Sequence, residues 1–432
     1  MGAMDTGHAS TTGVSLDHLL RDGGLHCVYQ PFVDLDSGAV LAFEALLRGP
    51  ENSVLRSPMA LLDAARATGR LAELEHAALQ ASLGDAASLS QGHPVTLFVN
   101  LEPTTLTRHP DVVLNALAGR AAHVQVVVEI TERALADDLA GVLTGAEQLR
   151  AAGCAIALDD VGVHPESLAF IPLLRPEIVK LDLRLLRTVD DPATVTVAGA
   201  VRAYAEQTGA EVVAEGIETP GDLTRALVLG ATLGQGWLWS RGERRFPPST
   251  FRPERFTAHP IGAALRATPY ELIGAGRQIR HAPKHLLVPV SKTLEMMALQ
   301  AAVPPVVFAA FEHVRFFRPS TRRRYTELAA RLPFVAALGV DMPGEPAPGV
   351  RGTGLPIQDP LASEWTVLVL GAHTAAALMA RDLGDTGPDA DRQFEFVVSY
   401  DRALVTAAAH AMIGRLATAG EQPGGPGRTP PG

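Results

Sequence analysis

The sequence predicts an α/β protein made of a TIM-type β/α barrel followed by a smaller mixed α/β domain. From about residue 25 to 240, short β-branched runs alternate with Ala/Leu/Arg stretches of helical period. About eight strands separated by helices in roughly 220 residues are typical of a β/α barrel. The alternative, an open doubly wound sheet, would usually place a Gly-rich turn after its first strand, and none is present.

The predicted barrel strands are rich in β-branched and aromatic residues. In chain order they are CVYQPFVDL, LAFEALLR, TLFVNL, QVVVEIT, AIALDD, EIVKLDL, EVVAEGI and GQGWLWS. The stretches between most of them have the 3.6-residue period of amphipathic helices, as in ATVTVAGAVRAYAEQTGA.

Composition divides the chain into five regions. These are a disordered N-terminus at 1–15, the barrel at 16–243, a Pro/Arg-rich linker at 244–262, a second globular domain at 263–416, and a disordered Pro/Gly tail at 417–432. In the second domain we predict helices at SKTLEMMALQ and STRRRYTELAARL, and strands at PVVFAAFEHV, WTVLVLG and FEFVVSY. A Pro/Gly loop at 341–360 interrupts this domain.

Bulk composition restricts the class of protein. The chain has 432 residues, 47% of them apolar and 19% charged, which is an ordinary globular balance. No apolar run reaches eighteen residues and the N-terminus does not resemble a signal peptide, so we predict no membrane span. Cys27 and Cys154 lie in apolar runs, which favours a reducing, cytoplasmic location. The net charge of −10 argues against nucleic acid as a partner.

Acidic and amide side chains recur within the predicted strands or at their carboxyl ends, where barrel enzymes hold their chemistry. They are Glu44, Asn100, Glu129, Asp159, Asp160 and Glu215. Any one of them could cap a helix or face solvent, but six in succession indicate a site. Convergent oxygen ligands without a His or Cys cluster favour Mg²⁺ or Mn²⁺.

Lys180 is one of only three lysines in an arginine-rich chain and lies in the middle of the strand EIVKLDL. A lysine there indicates that a compact point charge is needed inside the barrel. The alternative is a structural ion pair with Asp182, which the strand period places on the same face.

Seven ordered motifs resemble the EAL-domain family, the phosphodiesterases of the bacterial second messenger cyclic di-GMP. They are FEALLRGP, FVNLEP, VEITE, LDDVG, VKLD, VAEGIET and GQGW, within residues 16–242. The resemblance implies a barrel with an antiparallel first strand, a site for two Mg²⁺ or Mn²⁺ ions, and hydrolysis of cyclic di-GMP to linear pGpG. It also implies a homodimer.

The resemblance also implies roles for individual residues. Glu44, Asn100, Glu129 and Asp159 would bind the first metal ion, and Asp160 the second. Lys180 would orient or activate the attacking water, and Glu215 would be the general base or a further metal ligand. The residues implied to hold substrate or support the site are Gln30, Arg48, Gln235, Glu218 and Glu132, the last being the partner of the loop after Asp160.

That loop departs from the family pattern. Residues 161–168 read VGVHPESL, where family members usually read FGTGYSSL. Pro165 fixes its own φ and favours an extended His164, so this loop cannot copy the usual conformation. The alternative function is therefore a catalytically weak or inactive receptor that binds cyclic di-GMP.

Residues 263–416 resemble the DICT sensory domain, on sparse positions such as Asp359, Pro360, Trp365 and Arg392. The resemblance implies a signal-input or dimerisation role whose ligand, a small molecule or a protein, is unknown. No cluster of candidate metal ligands or nucleophiles occurs in this block, which agrees with a regulatory module.

Overall fold

The structure is a computed structural model that describes residues 15–131, 135, 138–163, 168–260, 267–274 and 277–419. It confirms the predicted fold class, because eight strands close into a barrel and a seven-stranded sheet with helices follows. The predicted disordered termini lie outside the described residues, apart from Ser15 and the end of the last helix. None of the helices in the described ranges is long and apolar enough to cross a membrane.

The barrel strands follow one another around the ring in chain order. They are β1 (His26–Asp34), β2 (Val40–Arg48), β3 (Val95–Asn100), β4 (Val124–Thr131), β5 (Ala155–Val161), β6 (Ile178–Leu181), β7 (Glu211–Ala214) and β8 (Leu233–Gly234). Strand β1 pairs antiparallel with both β2 and β8, and the other neighbours are parallel. The antiparallel first strand is as the family resemblance implied.

Helices surround the barrel. They are α1 (Leu16–Asp22), α2 (Pro58–Ala67), α3 (Leu71–Leu89), α4 (Pro103–Arg108), α5 (Pro110–Ala118), α6 (Leu139–Ala151), α7 (Ile171–Leu174), α8 (Leu183–Arg187), α9 (Pro192–Thr208) and α10 (Pro220–Val228). Several begin with proline, whose fixed φ suits the first helical position. Helix α10 begins with a capping box, in which Thr219 and Asp222 satisfy each other's backbone N–H groups.

The last predicted strand, GQGWLWS, is wrong for most of its length. Strand β8 ends at Gly234, and the chain then turns tightly around Ile217, whose N–H donates to the Gln235 carbonyl and whose carbonyl accepts from Leu238. A Cβ at Gly236 would lie 2.2 Å from the carbonyl oxygen of Ile217. This close approach requires glycine and prevents an extended strand.

The predicted linker packs on the barrel. Phe246 stacks on Phe43, and Phe256 is buried at the bottom of the barrel interior against Phe98. Arg255 pairs with Glu211 and Asp34 on two different strands. Residues 244–260 therefore belong structurally to the barrel, although their Pro/Arg composition indicated a spacer.

The second sheet has the order β12-β11-β10-β13-β14-β15-β9. Its strands are β9 (Arg280–Pro283), β10 (Val306–His313), β11 (Val335–Val340), β12 (Arg351–Leu355), β13 (Glu364–Leu370), β14 (Ala375–Asp382) and β15 (Gln393–Ser399). Strands β10, β11 and β12 are parallel, and the remaining pairs are antiparallel. Strand β12 lies inside the predicted loop 341–360, where its two glycines weaken the strand signal.

Three helices complete this unit, namely α11 (Lys284–Gln300), α12 (Pro319–Ala329) and α13 (Arg402–Ala419). Helices α11 and α12 share one apolar cluster with one face of the sheet. Helix α13 contributes to the other large cluster, which also contains the layer between the barrel and its helices. It contacts α6 and α7, so the second unit and the barrel are in direct contact.

Candidate active site

The site is formed by side chains at alternate positions of the barrel strands, which point into the barrel. The bottom of the barrel is filled by apolar side chains that point inward, one or two from each strand. The residue two positions further toward the active end of each strand points inward as well. The strand-by-strand pairs are Phe32 and Gln30, Ala42 and Glu44, Phe98 and Asn100, Val127 and Glu129, Ala157 and Asp159, Ile178 and Lys180, Val213 and Glu215, and Leu233 and Gln235. The eight strands thus form one layer of polar side chains directly above the apolar side chains of the barrel floor, which we call the apolar plug. Because β1 runs antiparallel to the others, its polar residue precedes its apolar residue in the sequence.

Lys180 lies at the centre of this layer and is 1% exposed. Its Nζ is 2.8 Å from Glu215 Oε1, 2.9 Å from Glu129 Oε1 and 3.0 Å from Asp159 Oδ1. A fourth carboxylate oxygen, Glu44 Oε2, is 3.8 Å away. The alternative pairing with Asp182 is wrong, because the Asp182 side chain caps α8 by accepting from the N–H of Arg184.

Amides hold the Glu44 carboxylate. Asn100 Nδ2 donates to Glu44 Oε1 at 2.8 Å, and Gln235 Nε2 donates to Glu44 Oε2 at 2.6 Å. The Gln235 amide also lies 3.2 Å from Gln30 Oε1, and Gln30 in turn donates to the carbonyl of Ser240. Strands β1, β2, β3 and β8 are thereby joined by one hydrogen-bond chain within the layer.

The adjacent aspartates are brought together by a bulge. Strand β5 shifts register against β6 between Leu158 and Val161, where three steps on β5 match two on β6. Asp160 takes up the extra residue in the left-handed region, with φ at 59°. Asp160 therefore reaches the same site as Asp159, whereas the regular strand expected from sequence sends neighbours to opposite faces. Oxygens of Asp159, Asp160 and Glu215 all lie within 4.8 Å of one another.

Burial and mutual charge shift the pKa values of the layer. Burial lowers the pKa of Lys180, but Asp159 and Glu129 outweigh it, so the pKa is raised well above its ordinary value. Burial raises the pKa of Glu129 well above the usual range, and Glu44 adds to this. Burial also raises the pKa of Glu215 to about 8, against the opposing charge of Lys180.

The pKa of Glu44 is shifted in the opposite direction to those of Glu129 and Glu215, whereas the pKa of Asp160 is shifted in the same direction. For Glu44, burial alone would raise the pKa, but Lys180 and the two amide donors outweigh burial, and the pKa is lowered. Burial raises the pKa of Asp160, with the charge of Asp159 adding to the effect. The layer therefore holds its lysine as an ammonium ion, while Glu215 retains its proton near neutral pH.

The donor set fits divalent cations. Oxygen atoms alone converge at the tips of β5 and β7, as hard cations require. Glu129 Oε2 is fully buried and has no hydrogen-bond partner among the described residues. Such an acceptor is costly unless something positive approaches it. A cavity of about 300 Å³, lined by Glu44, Asn100, Glu129, Asp159 and Asp160, opens beside this layer toward α2 and α3.

Two predicted residues, Arg48 and Glu218, lie outside the layer. The guanidinium of Arg48 donates to the carbonyl of Leu47. Glu218 follows β7, and its Oε2 lies 3.4 Å from Nη2 of Arg187 on α8. Glu132 lies outside the described residues, as do residues 164–167 of that loop.

Sequence reasoning missed Glu75 on α3. It is 6% exposed, lines the same cavity, and accepts a hydrogen bond from the N–H of Glu102. Burial raises its pKa to about 8. The available signal was an acid on the apolar face of a predicted helix, in LAELEHAAL, where an unpaired charge is unfavourable.

Comparison with known proteins agrees with this geometry. The EAL domain family matches residues 14–242, which is more than half of the chain, and the chain belongs to that family. The DICT family, described as a sensory domain in diguanylate cyclases and two-component systems, matches residues 273–383.

Two curated relatives come from Pseudomonas aeruginosa. The cyclic di-GMP phosphodiesterase NbdA is 34% identical over 237 residues, which are 52% of this chain and 30% of NbdA. The cyclic di-GMP phosphodiesterase RocR is 30% identical over 230 residues, 51% of this chain and 58% of RocR. A solved calcium/cy-diGMP complex of Klebsiella pneumoniae BlrP1 is 27% identical with a TM-score of 0.47, covering 53% of this chain and 58% of BlrP1.

Proposed function

We propose that the barrel hydrolyses cyclic di-GMP to linear pGpG with the help of two divalent cations, Mg²⁺ or Mn²⁺. The observation that carries the proposal is the polar layer, in which one lysine, four acids and three amides converge above the apolar side chains of the barrel floor. The relatives NbdA and RocR, both cyclic di-GMP phosphodiesterases, support the choice of substrate.

The chain's own oxygens divide into two proposed cation sites. Glu44, Asn100, Glu129 and Asp159 would hold one ion, and Asp160 would hold the second. When bound, two such ions neutralise the charge that develops on the attacking and leaving oxygens of a phosphodiester. The bulge in β5 supports this assignment, because it brings Asp160 to the same site as Asp159.

Lys180 and Glu215 would take different parts in the reaction. The raised pKa of Lys180 keeps it an ammonium ion, which can hold and orient a water but cannot accept its proton. Glu215 is the most exposed of the four acids around Lys180, at 21% side-chain exposure, and has a pKa of about 8. A general base works best with a pKa near the working pH, so Glu215 would take the proton of the attacking water. The water oxygen joins phosphorus, and the bond from phosphorus to the ribose oxygen breaks.

Substrate binding falls to Gln30, Arg48 and Gln235. Gln235 and Gln30 already form a chain that fixes Glu44, so their amides would position the acid as well as contact the nucleotide. The cavity beside Glu44 supplies space next to the reacting centre. Glu218 and Glu132 would support the surrounding loops.

The altered loop is the reason to consider a second candidate function, a receptor that binds cyclic di-GMP without turnover. In the described part of the loop, Val161 is fully buried among apolar residues between the barrel and its helices. Gly162 has φ at 104°, and a Cβ there would lie 2.6 Å from Leu185. Val161, where family members usually have Phe, is therefore still an apolar residue packed among apolar neighbours. This conservative change favours the enzyme over the receptor.

Binding and turnover separate the two functions. We expect wild-type protein to bind cyclic di-GMP in Ca²⁺, measured by calorimetric titration, and to release pGpG in Mg²⁺ or Mn²⁺, measured by chromatography. Binding without product in either metal would identify the receptor. Absence of both would contradict both functions.

We further propose that the DICT unit regulates the barrel through α13. His410 on α13 is 2% exposed, and its Nε2 lies 2.7 Å from the carbonyl oxygen of Leu173 on α7. A carbonyl only accepts, so Nε2 carries the proton and donates. Helix α7 is the first helix after the Asp160 loop, and a cavity of about 370 Å³ lies between α7, α9 and α13. A movement of α13 would therefore reach that loop directly. A homodimer remains a prediction.

A further inference from the structure

A cavity in the second unit combines features of a ligand site. It has a volume of about 380 Å³, within the range of small-molecule sites. It lies between α11 and α12 at the carboxyl end of β10, and open α/β sheets bind ligands at the carboxyl ends of their strands. Both of the chain's lysines outside the barrel, Lys284 and Lys292, line it.

The cavity wall has an excess of positive charge. Its cations are Lys284, Lys292, Arg318 and Arg324, and its acids are Glu295, Glu312 and Asp389. Four cations minus three acids leave one positive charge, with His285 taken as neutral, in a chain whose net charge is −10. The wall thus has the opposite sign to the protein as a whole.

Each acid of the wall is already neutralised. Glu295 lies 2.7 Å from Arg324, and Glu312 pairs with Arg392 behind the wall. Asp389 is shared by Lys284, at 2.6 Å, and Arg318.

Lys292, by contrast, has no ion-pair partner within the described part of the chain and is solvent-exposed at the rim. Its charge, together with that of Arg318, which shares Asp389 with Lys284, is available to attract an anion.

The backbone adds to the attraction. Helix α12 has no side chain that caps its first N–H groups, and its first-turn residues Ser320 and Thr321 line the cavity. Uncapped N–H groups at a helix start favour anions. The backbone of another wall residue is strained: Glu312, at the end of β10, has φ at 58°, a left-handed conformation that is uncommon for non-glycine residues and clusters at functional sites, where the surrounding structure stabilises it.

Apolar side chains form the remainder of the wall. Phe311 and Trp365 are nearly buried, and Phe316 carries Lys284 over its ring at 4.1 Å. We propose that this cavity binds a small organic anion, with a carboxylate or phosphate group toward Lys292, Arg318 and the start of α12 and an apolar body against Trp365. The proposal concerns binding in the second unit and does not depend on hydrolysis by the barrel.

Binding of simple probes to the full chain tests the proposal. We expect phenyl phosphate and benzoate to bind saturably in saturation-transfer NMR titrations with EDTA present, with dissociation constants on the order of 1 mM for compounds of this size. Inorganic phosphate should compete, whereas benzylamine, a cation of matched shape, should not bind. Comparing the two anions distinguishes a phosphate site from a carboxylate site.

Paired variants locate the site. The double variant K292Q/R318Q should weaken phenyl phosphate binding by on the order of tenfold. R322Q and R323Q, exposed positions on α12 that do not line the cavity, should leave binding unchanged. The proposal is overturned if neither anion binds up to about 10 mM, if benzylamine binds as well as the anions, or if the control variants weaken binding as much as the double variant. A thermal melt of each variant shows that the fold is retained.

Discussion

Replacing Lys180 by methionine removes the one ammonium group that four carboxylates surround. At an effective dielectric constant of about 20, an ionised carboxylate near 2.9 Å, such as that of Glu129, contributes roughly 5–6 kcal/mol of Coulomb attraction. Desolvation of the ammonium group cancels much of that sum. Removal of one partner from a buried ion cluster costs about 3–5 kcal/mol in practice.

This loss of unfolding free energy should lower the melting temperature of the barrel. One kcal/mol shifts the midpoint by about 2–4 °C in a domain of 150–250 residues, so Lys180→Met should lower the metal-free barrel transition by about 6–20 °C. Scanning calorimetry in EDTA measures it. Lys292→Met, the same change at an exposed lysine, should leave the midpoint unchanged.

Metal provides the second half of this prediction. With the ammonium ion gone, a divalent cation meets less repulsion and more uncompensated negative charge. Saturating Mn²⁺ should therefore raise the midpoint of Lys180→Met by more than it raises that of the wild type. A variant that melts within about 2 °C of wild type in EDTA, with an equal response to Mn²⁺, would refute the reasoning.

Three other predictions concern the same protein. Glu215→Gln should lower the rate of pGpG formation by about 10²–10⁴-fold with little change in melting temperature. The control Glu206→Gln, on the outer face of α9, should change neither the rate nor the melting temperature. An equal rate in both variants would remove Glu215 from the mechanism. Because metal-free Glu215 holds its proton up to about pH 8, Mn²⁺ binding at pH 7 should release protons and tighten as pH rises toward 8. Proton release makes the observed calorimetric heats differ between two buffers of different ionisation heat; identical observed heats in the two buffers would contradict this. Burial lowers the pKa of His410, so the unfolded chain binds more protons than the folded one below about pH 6.5, and stability should fall as pH drops through that value. His410→Phe should remove this pH dependence, cost about 1–2 kcal/mol, and alter the turnover rate, while the exposed His281→Phe should do none of these.

Local patterns were sufficient to predict the barrel and most of its polar layer. Alternation with a period of two is a property of each strand by itself, so Glu44, Glu129 and Lys180 could be placed inside the barrel without knowing their neighbours. Their family motifs added roles. Alternation could not predict which groups are in contact, because Lys180 contacts acids from four other strands.

The features that sequence reasoning missed depend on contacts between distant segments. The bulge at Asp160 arises from the register of β5 against β6, which neither strand encodes alone. Residues 244–260 have the composition of a spacer, yet Phe256 fills the barrel floor. The cavity between α11 and α12 joins residues more than one hundred positions apart, such as Lys284 and Asp389.

Formation of pGpG by the purified chain tests the central claim most directly. Cyclic di-GMP should be converted to one product with the mass of pGpG in Mg²⁺ or Mn²⁺, and the conversion should stop in EDTA. Intact cyclic di-GMP after prolonged incubation in both metals, with protein that still binds it in Ca²⁺, would contradict the claim that the polar layer is a working hydrolase site.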